Sequence, residues 1–67
     1  MRIELAIKGM TCAACQTIVR EALESAEGVK RAVVDLEDNT ALVDGEELDI
    51  EELIEVVEAE GYEAVVA

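Results

Sequence analysis

Cys12 and Cys15 are the only cysteines of the chain. They stand three residues apart within Gly9-Met10-Thr11-Cys12-Ala13-Ala14-Cys15, and no histidine accompanies them anywhere. Two thiols without an imidazole leave two chemistries open, a clamp on one soft metal ion or a dithiol–disulfide couple. Side chains three apart at the start of a helix lie about 5–6 Å from each other at Cβ, near enough for both sulfurs to reach the same ion. Either chemistry runs through thiolate. Cys15 falls in the first turn of a helical pattern, where the positive end of the helix dipole favours that form; Cys12 sits on the loop just before it, and Lys8 adds positive charge nearby.

The elements that must hold this pair follow from hydrophobic periodicity. Ile3, Leu5 and Ile7 alternate with Arg2, Glu4 and Lys8, a half-buried strand that stops at Gly9. Cys15, Ile18, Val19, Ala22, Leu23 and Ala26 share one helical face, which predicts a helix from about Ala13 to Ala26 with Gly28 at its C-cap. Val29 to Leu36, with Val34 and Leu36 inward, predicts a second strand. Glu37-Asp38-Asn39 is a turn, and Thr40 to Asp44, with Ala41 and Val43 inward, completes a hairpin. Asp49 followed by Glu52 is a capping-box pattern, with Leu48 and Leu53 at the hydrophobic-staple positions. Ile50, Leu53, Ile54 and Val57 make the buried stripe of this second helix, Gly61 ends it, and Tyr62 to Val66 is the fourth strand. Ala26-Glu27-Gly28-Val29 and Ala59-Glu60-Gly61-Tyr62 repeat one helix-end-to-strand device. The order predicts an α+β, ferredoxin-like βαββαβ sandwich in which two helices cover one face of a four-stranded antiparallel sheet, as a single domain over residues 1–67.

Composition narrows the function. A 67-residue chain buries too little surface for an enzyme-sized cleft, so a binding or transfer domain is expected rather than an enzyme. With 17 acidic residues against 5 basic ones and a single aromatic, Tyr62, neither phosphate attraction nor base stacking is available, and nucleic acid is excluded as a partner. No apolar run approaches the roughly 20 residues of a membrane span, and the amino terminus lacks a signal peptide's apolar stretch, so a cytoplasmic setting is expected. In a reducing compartment a lone Cys-x-x-Cys is metal-binding or catalytic more often than a structural disulfide.

Gly-Met-Thr-Cys-x-x-Cys between the first strand and the first helix, then Glu27-Gly28-Val29, then Gly61-Tyr62 before the last strand, resembles the heavy-metal-associated domain of copper chaperones and of the front of copper-transporting P-type ATPases. The resemblance covers essentially the whole chain. It implies one Cu(I) held by Cys12 and Cys15 and passed by thiolate exchange to a chaperone or ATPase domain of the same fold, with a monomer in the metal-free state and a metal-bridged dimer open to it. Soft, thiolate-preferring Cu(I) can be satisfied by two sulfurs where Zn(II) normally takes four ligands, and the open side lets an incoming thiolate bind before the old one leaves.

The other motif residues carry plainer readings. Met10 is a third soft donor in principle, but an apolar side chain at a loop base fills the core more readily than it ligates, and the resemblance implies such a plug. Thr11 is a helix cap or loop hydrogen-bonder; relatives associated with Zn(II) or Cd(II) tend to carry aspartate there, so Thr11 favours a monovalent ion such as Cu(I) or Ag(I). Tyr62 is a core residue that, by resemblance, also shields the metal loop. Glu51, Glu52, Glu55 and Glu58 read as a solvated face, or as complementarity to a more basic partner. The acidic Glu21, Glu24 and Glu27 lean slightly towards an ATPase domain by the same resemblance, in which the partner chaperones are often the more basic side.

Two alternatives stand beside copper. Mercury-binding proteins of the same fold also carry Met-Thr-Cys-Ala-Ala-Cys followed by a pattern like Val19, Arg20, Ala22 and Leu23, which keeps Hg(II) in view, although Gln16 stands where they tend to have proline and no export signal is present. A thiol–disulfide oxidoreductase shares Cys-x-x-Cys at a helix start, but those enzymes set a cis-proline opposite the cysteines, and this chain has no proline.

Overall fold

The computed structural model describes residues 1–67. The elements run β1 (Arg2–Lys8), α1 (Ala13–Glu24), β2 (Val29–Asp35), β3 (Thr40–Gly45), α2 (Ile50–Ala59) and β4 (Glu63–Val66). They form the four-stranded antiparallel sheet and two helices that the periodicity predicts, with strand order β2-β3-β1-β4. Ile3, Leu5 and Ile7 point from β1 into the core, and Ala41 and Val43 stand beside them on β3 in the registers Ile3↔Val43 and Leu5↔Ala41. Val19 and Leu23 of α1 and Leu53 and Val57 of α2 close the same core from the helix layer. No helix is long and apolar enough to cross a membrane.

Several local expectations are corrected. α1 ends at Glu24 rather than Ala26, because the Ser25 hydroxyl donates to the Ala22 carbonyl at 2.6 Å and competes with the helical ladder. Ser25 is therefore the C-cap, and Gly28 lies in the turn just before β2. The apparent repeat is thus two different devices: only the second copy ends a helix directly. There Gly61, with φ +95°, donates to Glu58 while Tyr62 donates to Val57, a paired C-terminal closure of α2. β2 stops at Asp35, whose carboxylate accepts the N–H groups of Glu37 and Asp38, so Leu36 lies in the turn, half-buried against the core.

The capping box does not form. Asp49 caps α2 through Glu51 N–H at 3.0 Å, while Glu52 turns away and accepts Glu27 N–H at 3.2 Å, tying the α1–β2 connection to the second helix. The staple residues Leu48 and Leu53 are both buried as expected. Ile18 and Ile50, placed inward by periodicity, are 39% and 38% exposed. Ile18 lies 100° around α1 from Val19, at the margin of a stripe set by Val19, Ala22 and Leu23, and Ile50 is the first residue of α2, before the helix settles onto the sheet.

Candidate metal site

The connection from β1 to α1 is a loop bent by one glycine and pinned by one methionine. Gly9 has φ +102°, a left-handed conformation, and a Cβ there would stand 3.3 Å from Cδ1 of Tyr62, whose ring lies against the loop. Met10 is buried and belongs to the core, where its flexible side chain fills the space beneath the loop. Cys12 follows as the N-cap of α1 with an extended backbone (φ −157°, ψ 170°), and Cys15 sits one turn in. Their Sγ atoms are 3.4 Å apart. Both thiols are free, Cys12 exposed and Cys15 half-buried.

Polar groups gather around the Cys15 sulfur. The nearby Tyr62 hydroxyl has the largest influence on it, followed by the Thr11 main chain and the Cys12 thiol, and together they lower the thiol from 9.0 to about 6 against the opposing effect of burial. The Thr11 hydroxyl lies 4.0 Å from the same sulfur. Thr11 is thus a loop hydrogen-bonder and not the helix cap. Tyr62 responds in the opposite sense: the neighbouring Cys15 favours the neutral form of its phenol and raises it to about 12. Lys8 is exposed at the end of β1, across from Glu63 of β4.

At neutral pH Cys15 is therefore mostly thiolate, the form that binds soft metal or attacks a disulfide. The folded value lies below the unfolded one, so the stabilisation it brings is complete above about pH 9 and is lost as pH falls through about 6. Alkylation of Cys15 by iodoacetamide, followed by mass spectrometry, is expected to be half-maximal near pH 6. Tyr62→Phe is expected to move that midpoint upward, toward 9.0. A midpoint that stays put would remove the hydroxyl as the cause.

The structure brings Cys12, Cys15, Thr11 and Tyr62 together and sets Met10 beneath them. No group of three His, Cys, Asp or Glu side chains gathers anywhere on the chain, so a four-ligand site of the zinc type has no donors to build it. Sequence reasoning gave the helix dipole as the activator of Cys15 and missed the direct role of the Tyr62 hydroxyl. The available signal was the resemblance itself, which already set Tyr62 beside the metal loop as a shield without giving its hydroxyl a part in the thiol's acidity.

An α+β sandwich that presents two thiols at the head of its first helix, with no imidazole or carboxylate around them, defines a class of small modules with an exposed dithiol loop. Residues 4–63 match the model of the heavy-metal-associated domain, and the chain belongs to that family. It is 44% identical over 62 residues to a copper-exporting P-type ATPase of Vibrio cholerae, an alignment covering 92% of this chain and 7% of that protein. It is 50% identical over 60 residues to a mercuric reductase of Acidithiobacillus ferrooxidans, covering 88% of this chain and 11% of the relative. The chain thus spans only a small part of the length of these relatives. Among solved structures, a copper-binding domain from HMA7, a P-type ATPase, superposes with a TM-score of 0.94 at 37% identity, covering 98% of this chain and 92% of that one.

Proposed function

We propose that this chain is a Cu(I)-binding domain that holds one ion between Cys12 and Cys15 and passes it, by thiolate exchange, to a copper chaperone or copper-transporting ATPase domain of the same fold. The observation that carries the reading is the pair of free sulfurs 3.4 Å apart at the surface, one of them held low enough to be thiolate at neutral pH, with no hard ligand beside them. A soft monovalent ion suits two thiolates, and the exposed side of Cys12 leaves room for an incoming one. The ATPase relative and the HMA7 domain support copper. The mercuric reductase relative supports Hg(II) as a second reading, since the same two sulfurs suit that ion.

Titration of the reduced chain against a competing Cu(I) chelator is expected to give one ion per chain. A stoichiometry of zero, or tight binding that survives loss of both thiols, would overturn the assignment. Induction of the native gene by copper salts rather than mercury salts is expected, and the reverse would favour the second reading.

A further inference from the structure

β2 is an outer strand, so alternate main-chain groups along it face no neighbouring strand and need partners of another kind. Side chains of α1 supply them. Glu24, at the end of the helix, accepts Ala32 N–H on one carboxylate oxygen at 3.4 Å and pairs with Arg20 through the other at 3.1 Å. Gln16, in the first turn, donates its side-chain amide to the Val34 carbonyl. Ala32 and Val34 are two residues apart and share one side of the strand. The metal-bearing helix is therefore fastened at both ends to the free margin of β2.

The fastening at Gln16 bears on the thiols. α1 starts at Cys12 without any side-chain cap, the kind of start that ordinarily frays. Within this turn the Cys15 and Gln16 N–H groups share the Cys12 carbonyl, at 3.1 and 3.3 Å, and the Thr17 hydroxyl reaches back to Ala13. All of these are local. The Gln16 bond instead reaches 18 residues along the chain to the sheet.

We propose that Gln16 is a positioning residue for the thiol pair. By holding the first turn of α1 on the margin of β2, it keeps the Cys15 sulfur in place, and accommodation of an ion falls to Cys12 and the loop before it. This rests on Cys12 and Cys15 being the ligands. Sulfurs 3.4 Å apart must separate to admit an ion between them, because two metal–thiolate bonds of about 2.3 Å span more than that as they approach a line. With the turn fastened, one arm of the clamp moves; with it loose, both do, and the ion escapes sooner.

The test uses Gln16→Met and Gln16→Glu, which cannot donate, and Gln16→Lys, which can. Amide hydrogen exchange in the metal-free chain is expected to quicken about fivefold at Cys15 and Gln16 in the first two variants, with Leu23 and Val57 unchanged, and to stay within about twofold of the parent in Gln16→Lys. Release of Cu(I) to a chelator is expected to follow the same order. Unchanged exchange in both non-donors, equal effects in all three variants, or equal acceleration at Leu23 and Val57 would each overturn the proposal. Failure of the parent chain to hold Cu(I) would instead overturn the ligand reading, and the exchange measurement alone would then decide whether Gln16 holds the turn.

Discussion

Cys12→Ser and Cys15→Ser are each expected to weaken Cu(I) binding by more than about a hundredfold, beyond what loss of an outer-shell partner of a metal ligand costs. Serine is the same shape but keeps its proton at neutral pH and offers a hard oxygen, so each substitution leaves a single thiolate. The fold should not suffer. Cys12 is exposed and Cys15 half-buried, and neither takes part in the deeply buried core. Circular dichroism should therefore be unchanged while chelator competition loses the one-to-one end point. Acid should mimic the loss in part: below about pH 6 Cys15 must shed its own proton to bind, so affinity is expected to fall more steeply with pH there than above it. Near-parental affinity in either single variant would shift the site to other donors.

Gly28→Ala is expected to unfold most of the chain at ambient temperature. Gly28 has φ +87°, and a Cβ there would collide with the Glu46 main-chain oxygen; Gly45, paired with Val29 in the register, faces it so closely that its own Cβ would meet the Gly28 carbonyl. The Glu46 N–H donates to that carbonyl at 3.0 Å, so neither backbone can retreat without breaking the bond. Overpacking costs about 1–3 kcal/mol, and a left-handed conformation about 1–2 kcal/mol more for a residue with a Cβ. A domain of this size holds roughly 3–5 kcal/mol in all. Gly61→Ala is the matched control: its φ is +95°, but a Cβ there meets nothing within 4 Å, so the conformational cost alone remains. Urea unfolding should show Gly61→Ala shifted and Gly28→Ala without a folded baseline. Equal shifts would show that the Glu46 main chain can give way to a Cβ at position 28.

Strict alternation in β1 and the helical spacing of Val19, Ala22, Leu23, Leu53 and Val57 made the sandwich legible in the sequence, because burial on one face leaves a period that needs no tertiary knowledge. The thiol pair was legible for a similar reason, both cysteines lying within a single turn. Part of what escaped depends on partners distant in sequence, and part on close local competition. Glu52 follows Asp49 at capping-box spacing, yet Glu27 N–H claims it across the helix layer. Ser25 cut α1 short through a bond to its own helix that competes closely with helical continuation. Ile18 and Ile50 carried the right chemistry at the edges of their stripes, where small rotations decide exposure. The Tyr62 hydroxyl and the Gln16 amide act over 47 and 18 residues, and no periodicity encodes such a meeting.

The adjacency of β1 and β4 has a mechanical side. They run antiparallel, with Lys8 beside Glu63 at one end and Leu5 beside Val66 at the other, and Ala67 N–H donates to the Glu4 carbonyl. First and last residues therefore emerge together at one pole, while the dithiol loop that follows Lys8 occupies the opposite pole. Polypeptide attached at either end would act as a tether anchored behind the module. It could be pulled, swung or shortened without passing in front of the sulfurs, so the thiol end stays unobstructed whatever the leash is joined to.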